Sequence, residues 1–244
     1  MKKKIRKGLI VAAALVFLGS LAMVLTQQAE YRAGQTLYEE AQQLAAASPA
    51  AGAEPAAPQP TPSADGMADI SLSALQEASP AVMGWVRIPD TALSYPIVQG
   101  ADNDYYLNHA WNGAATPVGS IFMDYRCAAD FSAFNTILYG HRMKDGSMFA
   151  SLKHYSKADY WEQHPYVYIK DAGGTRQYAV FAAYEAPVTA CTYEIAPEDQ
   201  ALRQAFVDYA LEQSVIRTGV VPAATDSILT LSTCTGRGYD SRWV

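Results

Sequence analysis

Hydrophobic and polar positions alternate in short stretches over most of the chain. Short apolar runs rich in β-branched and aromatic residues, bounded by turn residues, predict strands, because a strand buries alternate side chains on one face. The clearest pair lies in 166–186, where Asp171, Gly173 and Gly174 join two runs into a predicted hairpin. Further strands are predicted in GWVRIPD, ALSYPIVQG, GSIFMDYR, NTILYGHR, SILTLSTC and a last strand that starts at RWV.

Helical periodicity is confined to a few segments. Residues 197–214 predict a helix with Leu202, Phe206 and Leu211 on one side, and shorter helices are predicted at 70–77 and within 147–164. Seven or eight short strands, few helices and no repeated β-α-β unit predict a mainly β fold with short helices. Such a pattern is typical of a closed or nearly closed β-barrel.

The amino-terminal segment is apolar along its whole length. Residues 8–26 contain no charged side chain, and at about 1.5 Å per helical residue they just span a hydrocarbon layer of about 30 Å. The preceding residues 1–7 form a basic segment that should stay in the cytoplasm, which places the rest of the chain outside the cell. A cleaved signal peptide fits the same pattern, but the apolar run exceeds the usual length of about 7 to 15 residues. A single-pass anchor in the cell membrane at 8–26 is therefore favoured.

Composition changes again after this anchor. Residues 27–46 are rich in helix formers and could extend the membrane helix outward, whereas 48–65 contain five prolines and many alanines. A segment with almost no large apolar side chain cannot bury enough surface to fold. We therefore expect a helical stalk and Pro/Ala-rich linker at 27–66 and one catalytic domain at 67–244. The linker is either a spacer from the membrane or a low-complexity insertion without a role.

Charge and cysteine content exclude two classes of function. The chain carries a net charge of −6, and without the five basic residues of 1–7 it keeps 13 basic against 24 acidic residues. Binding of nucleic acid needs clustered Lys and Arg, so no nucleic-acid partner is expected. The three cysteines, Cys127, Cys191 and Cys234, form no CxxC pair, which makes a structural zinc site improbable. Cys127 and Cys191 can equally be buried structural residues.

Cys234 is the candidate nucleophile because it ends the predicted strand SILTLSTC. A thiol becomes reactive when a neighbour raises its thiolate fraction, and imidazole is the usual partner. The chain offers His109, His141, His154 and His164, and periodicity does not choose among them, although His141 follows a Tyr-Gly strand end where a side chain can face a cleft. Arg242, eight residues beyond Cys234, is either an anion-stabilising group or a surface ion-pair partner.

Four segments of the chain resemble the signature segments of class B sortases, in the same order. They are TALSYPIVQGADNDYYLNHAWNG, GSIFMDYR, NTILYGHRMKDGSMFASLKHY and LTLSTCTGRGYDSRWV, and the resemblance covers residues 67–244. It implies an eight-stranded sortase barrel outside a Gram-positive-type cell. Its last strand is expected to be short or truncated here, because the chain stops at Val244.

The resemblance also implies an activity. Class B sortases cleave a carboxyl-terminal sorting motif of secreted proteins after Thr, hold the acyl half as a thioester on cysteine and pass it to a peptidoglycan-precursor amine. The motif is an NPQTN-like or related pentapeptide. By motif, Cys234 is then the nucleophile, His141 the general acid and later base, and Arg242 the residue that holds substrate and oxyanion.

The same resemblance assigns the groove that binds the sorting signal. The helix predicted at 197–214 matches the class B insertion that walls this groove, and no metal or other cofactor is expected. The residues assigned to substrate binding are Asn103, Leu107, Tyr139, Ser232 and Thr233. Two other functions are weighed against this one: a cell-wall Cys/His peptidase that only hydrolyses peptides, and a non-catalytic surface-binding module on a stalk.

Overall fold

The computed structural model describes residues 2–46, 66–235 and 240–244, so the Pro/Ala-rich segment 48–65 and residues 236–239 lie outside the described residues. The helices are α1 (Lys2–Ala46), α2 (Ser73–Ala78), α3 (Ala158–Gln163) and α4 (Gln200–Gln213). Short 3-10 helices span Tyr105–Leu107, Phe149–Ser156 and Cys191–Tyr193. The strands are β1 (Val82–Arg87), β2 (Ser94–Gln99), β3 (Ile121–Met123), β4 (Asn135–Tyr139), β5 (Tyr166–Asp171), β6 (Gly174–Ala179), β7 (Glu185–Pro187), β8 (Ile228–Cys234) and β9 (Ser241–Trp243).

The described strands form one sheet in the order β6-β5-β1-β2-β3-β4-β8-β9-β7, which confirms a mainly β fold with short helices. The predicted hairpin is present as β5 and β6, with Asp171 opposite Gly174. The expected eight-stranded closed barrel is not confirmed, since the described residues contain nine strands and no pairing of β6 with β7. Barrel closure needs a hydrogen-bonded ladder between the two edge strands.

The short strand β9 is an inner strand of this sheet. It pairs with β8 through Thr233 and Cys234 on one side and with β7 on the other. The indole of Trp243 donates to the carbonyl of Leu152 at 2.7 Å. Strand β9 is thus paired with a strand on each side, and this pairing fixes the register of Arg242.

Helix α1 has two differently exposed halves. Every described side chain from 13 to 30 is exposed. The helix is long and apolar enough to cross a membrane, a property shared by membrane anchors and signal sequences. Further along, the buried positions Gly34, Tyr38, Ala41 and Ala45 recur every three or four residues and form one face. We call residues 34–46 the docked half of α1, because this face packs on the body of the protein.

Helix α4 lies against the sheet beside β8. It begins later than predicted, because Asp199 rather than Pro197 sets its start: the Asp199 carboxylate accepts from the backbone N–H of Leu202 at 2.8 Å. Phe206 and Val207 are buried next to Phe134 and Ile228, whereas Leu202 is exposed. The helix thereby packs on the sheet near the start of β8, at Ile228.

Candidate active site

The parallel pairing of β4 with β8 brings Cys234 and His141 together. Tyr139 lies opposite Ser232 in this pairing, so two residues further along the chains Cys234 and His141 reach the same edge of the sheet. The backbone N–H of Gly140 donates to Ser232 at 3.2 Å, which continues the ladder beyond β4. Gly140 also lets the chain pass close to the core, since a Cβ there would lie 2.8 Å from the Phe149 ring.

Hydrogen bonding between the Cys234 thiol and the His141 imidazole shifts the pKa of both groups. This bond is the largest influence on the pKa of Cys234, which is lowered although burial opposes the shift, and the charges of Arg242, His141 and Arg142 lower it further. The same bond raises the pKa of His141, against the opposite effect of burial, and the carbonyl of Leu107 adds to the rise. Both shifts favour a thiolate beside an imidazolium.

The second partner of His141 fixes its tautomer. Its Nε2 lies 2.6 Å from the carbonyl oxygen of Leu107. A carbonyl oxygen only accepts, so Nε2 carries a proton and Nδ1 is the nitrogen that can exchange a proton with Cys234. Gly119 packs against the same edge of the ring, because a Cβ at this position would lie 2.9 Å from His141 Cδ2 and 2.6 Å from Leu107 O.

Arg242 lies directly opposite Cys234 in the antiparallel pair of β8 and β9. Directly opposite residues place their Cβ atoms about 4.5–5.5 Å apart on the same face. The guanidinium donates to its neighbour's carbonyl, Ser241 O, at 3.0 Å, and its charge lowers the pKa of both Cys234 and Tyr193. A cation is therefore held beside the thiol and faces the same side of the sheet.

Two of the expected substrate residues, Asn103 and Tyr139, meet at a buried carboxylate that the sequence analysis did not single out. Asp124 has no exposed surface, and its Oδ2 accepts from Asn103 and from the Tyr139 hydroxyl, each at 3.0 Å. Arg126 forms an ion pair with the same carboxylate at 2.8 Å. Burial raises the pKa of Asp124, but these hydrogen bonds outweigh it and lower the pKa overall. The only signal in the sequence was an acid at the end of a short apolar strand.

Tyr193 is a second residue that the sequence analysis missed. Its hydroxyl lies 3.1 Å from the Ser232 hydroxyl, and its ring is parallel to that of Tyr139 with 6.5 Å between centroids. Ser232 and Cys234 lie on the same face of β8, because strand side chains alternate. Tyr139 and Tyr193 therefore pack together over Ser232, which is 1% exposed and lies two residues before Cys234 on β8.

The other expected substrate residues are placed differently. Leu107 is 40% exposed beside His141 and presents its carbonyl to the imidazole. Thr233 is 2% exposed and donates from Oγ1 to Gly140 O at 2.7 Å, so it braces the strand end. The remaining histidines lie apart from the thiol: His109 stacks on Tyr105, and His164 contacts Pro89 O at 3.1 Å.

The two other cysteines have surroundings unlike those of Cys234. Cys127 is buried and donates weakly to Asn135 O at 3.8 Å, and burial raises its pKa. Cys191 is half-buried, and burial raises its pKa as well. Only Cys234 among the three has a lowered pKa, the property expected of a nucleophilic thiol.

Comparison with known proteins finds a matching family and related sequences over most of the chain. Residues 86–244 match the Sortase domain family. Sortase B of Listeria monocytogenes is 40% identical over 173 residues, covering 69% of this chain and 69% of that protein. Sortase B of Staphylococcus aureus is 34% identical over 163 residues, or 67% of each chain.

Solved structures agree with the sequence matches. Sortase B from Bacillus anthracis in complex with AAEK1 superposes with a TM-score of 0.73 at 33% identity, covering 88% of this chain and 94% of that one. A Staphylococcus aureus sortase B–substrate complex gives a TM-score of 0.66 at 33% identity, over 70% of this chain and 80% of that chain. At these identities the likeness extends beyond the fold.

Proposed function

This chain belongs to the class B sortases, a family of cysteine transpeptidases that anchor proteins to the cell wall, and from that premise we propose that Cys234, His141 and Arg242 carry its reaction. The proposed substrate is a secreted protein with a sorting motif near its carboxyl terminus, NPQTN-like or related. The proposed acceptor is an amine of a peptidoglycan precursor.

The observation that carries the proposal is the convergence of the three side chains at one sheet edge. Parallel pairing of β4 with β8 brings His141 to Cys234, and antiparallel pairing of β8 with β9 brings Arg242 opposite Cys234. The lowered pKa of the thiol supports a nucleophilic role, and the raised pKa of the imidazole supports a role as general acid.

In the first half-reaction the Cys234 thiolate attacks the carbonyl carbon of the Thr residue before the scissile bond. A C–S bond forms, and the negative charge that develops on the carbonyl oxygen lies where the Arg242 guanidinium can stabilise it. When the tetrahedral species collapses, the C–N bond breaks and the His141 imidazolium gives its proton to the leaving amine. The products are a thioester on Cys234, a neutral imidazole and a released peptide.

In the second half-reaction the neutral His141 takes a proton from the incoming amine. The amine nitrogen attacks the thioester carbonyl, Arg242 again faces the oxyanion, and the C–S bond breaks. This step makes an amide bond to the acceptor and restores the thiolate and the imidazolium. The same group thus serves as acid in one half and as base in the other.

The groove and the location of the enzyme follow from the same premise. We assign Tyr139 and Leu107 to the surface that contacts the sorting signal. Ser232, Asn103 and Thr233 support this surface through Tyr193, Asp124 and Gly140. The apolar half of α1 supports a single-pass anchor at 8–26 with the catalytic domain outside the cell.

The proposal is tested with the full chain in detergent micelles and a library of fluorescent peptides that carry proline- and threonine-containing pentapeptides. We expect one pentapeptide class to be cleaved after Thr and, on addition of a short amine such as triglycine, a new amide product. Mass spectrometry identifies the acyl–enzyme on Cys234 and the product.

The acceptor step separates this function from the two alternatives. Hydrolysis whose rate and product do not change with the amine would identify a peptidase and contradict the transpeptidase. Binding of peptide without any covalent adduct would identify a binding module.

A further inference from the structure

One loop packs against the edge of the His141 ring formed by Nε2 and Cδ2. We call residues 105–120 the support loop; within it, the carbonyl of Leu107 accepts from His141 Nε2 at 2.6 Å. Gly119 has φ of +61°, and a Cβ there would lie 2.9 Å from His141 Cδ2 and 2.6 Å from Leu107 O. The imidazole is therefore held against backbone, and a shift of the loop would move the ring.

Hydrogen bonds join the two ends of the support loop, the arm at 105–109 and the arm at 116–120. The backbone N–H of Thr116 donates to Asn108 O at 2.9 Å, and that of Ser120 donates to Tyr106 O at 2.9 Å. The Ser120 hydroxyl donates to His109 O at 2.8 Å. These bonds make the arm at 116–120 and the arm that carries Leu107 move together.

The docked half of α1 covers this loop from outside. The Tyr38 side chain is 5% exposed, its hydroxyl donates to the carbonyl of Gly119, and the same oxygen lies 3.2 Å from Ser120 Oγ. The indole of Trp111 donates to Leu37 O at 2.9 Å, which ties the middle of the loop to the helix.

Gly34 sets how close the helix comes to the loop. A Cβ at Gly34 would lie 2.5 Å from Val118 Cγ2 and 2.7 Å from Thr116 Oγ1, separations that a real side chain does not reach without moving its neighbours. The helix therefore lies against the support loop at a distance that only glycine allows.

We propose that the docked half of α1 is a positioning element of the active site, in which Gly34 and Tyr38 hold the support loop so that Leu107 and Gly119 fix the His141 imidazole beside Cys234. This inference rests on the proposed role of His141. Tyr38 acts through the loop and touches no reacting atom. The stalk next to the anchor is then part of the catalytic apparatus as well as a connection to it.

Two glycines of α1 provide a matched pair of variants. Gly34→Ala forces the helix from the loop, whereas Gly19→Ala meets no atom within 4 Å of its new Cβ. Both changes raise the helix propensity of the same helix in the same way. With full-length protein in micelles, we expect Gly34→Ala to lower kcat by roughly 10- to 100-fold with little change in KM, the cost of misplacing a catalytic group by about 1 Å. Gly19→Ala should retain the wild-type kcat.

Tyr38→Phe is the milder variant. It removes the hydroxyl but keeps the ring that packs edge-on against Tyr95, with 5.3 Å between centroids. Loss of one hydrogen bond to the loop should lower kcat about fivefold. Tyr31→Phe is its control, since the Tyr31 hydroxyl accepts a hydrogen bond at 3.4 Å from Gln27 of the same helix.

The decisive measurement is the pH dependence of Cys234 alkylation by iodoacetamide, which needs no peptide substrate. Because the hydrogen bond from His141 lowers the pKa of the thiol, displacement of the imidazole should move the midpoint of alkylation to higher pH in Gly34→Ala and Tyr38→Phe. The two control variants should titrate like the wild type. Urea unfolding of each variant shows whether the fold is retained.

Two results would overturn the positioning role. In the first, both variants keep the wild-type kcat and alkylation midpoint. In the second, kcat falls together with the urea midpoint while alkylation is unchanged, which would show a purely structural contact. If alkylation shifts as expected but no form of the protein cleaves peptides, the positioning role stands and the proposed transpeptidase function fails.

Discussion

Cys234 and Arg242 differ from His141 in how the fold holds them. The first two lie on strands that pair directly, so the backbone ladder of β8 and β9 sets their separation. His141 lies two residues beyond the end of β4 and depends on the support loop, which in turn packs under α1. Backbone pairing on both sides of β9, with β7 and with β8, fixes Arg242 opposite Cys234, whereas His141 is held by a few contacts with a loop. We therefore expect the nucleophile and the cation to tolerate changes in α1 to which the imidazole is sensitive.

The largest effect is expected from the nucleophile itself. Cys234→Ala should lower the rate of peptide cleavage by roughly 10⁴-fold or more and remove the covalent adduct, because the thiol that forms the thioester is gone. Cleavage is followed by fluorescence and the adduct by mass spectrometry.

Cys191→Ala is the matched control, since Cys191 is also partly accessible but lies away from His141. If the adduct still forms in Cys234→Ala, or is lost in Cys191→Ala, then Cys234 is not the nucleophile.

The next effect tests the strand-borne cation. Arg242→Gln should lower kcat by about 10²- to 10³-fold, the usual cost of losing one oxyanion contact. It should also move the midpoint of Cys234 alkylation to higher pH, because the Arg242 charge lowers the pKa of the thiol. Steady-state kinetics and alkylation at varied pH measure the two effects separately.

Arg142→Gln is the control for charge alone, since the charge of Arg142 also lowers the pKa of Cys234 but has a smaller effect than that of Arg242. Equal losses of kcat in the two variants would contradict a specific role of Arg242.

A smaller effect is expected in stability, from the buried carboxylate beneath the groove. Asp124→Asn removes the charged acceptor that Arg126, Asn103 and Tyr139 share, and should cost about 2–4 kcal/mol in the free energy of unfolding. Urea unfolding at neutral pH measures this loss. The alkylation midpoint of Cys234 should stay unchanged if this cluster supports the sheet rather than His141.

The pH dependence of stability checks the same residue. The pKa of Asp124 is lowered in the folded protein, so its contribution is complete above the unfolded pKa of about 3.9 and is lost as pH falls through the lower folded value. Wild-type stability should therefore drop more steeply than that of Asp124→Asn in this acid range. Parallel curves for the two proteins would show that Asp124 is not held as a carboxylate.

The smallest effect is expected from Tyr139→Phe. The hydroxyl is one of several donors to Asp124, so its removal should cost about 1 kcal/mol in the free energy of unfolding. The KM for the preferred peptide should stay within about twofold, because the ring remains and the lost hydroxyl points to the carboxylate. A large rise in KM would show that the hydroxyl contacts the sorting signal directly.

The residue pattern predicted a thiol at a strand end, while the motif resemblance selected His141 and assigned a role to Arg242. The run ending at Cys234 and the run ending before His141 are both present as strands, and their ends do meet. Tyr193 and Asp124 were not predicted because no local pattern indicates their contacts with Tyr139. Tyr193 lies in a 3-10 helix and Asp124 follows β3, and both are separated from Tyr139 along the chain. Residues 34–46 escaped for a related reason, since their buried face consists of small residues and a single tyrosine.

The sequence by itself determined the local properties of this protein: apolar runs that become strands, an apolar amino-terminal segment, and motifs that identify the family. These properties depend on neighbours a few residues apart, which periodicity records. Only the tertiary structure decided which strands pair, that β9 lies inside the sheet, and that α1 packs on the loop behind His141. Those arrangements depend on contacts between residues such as Tyr38 and Gly119, far apart along the chain, whose complementary shapes leave no periodic signal in the sequence.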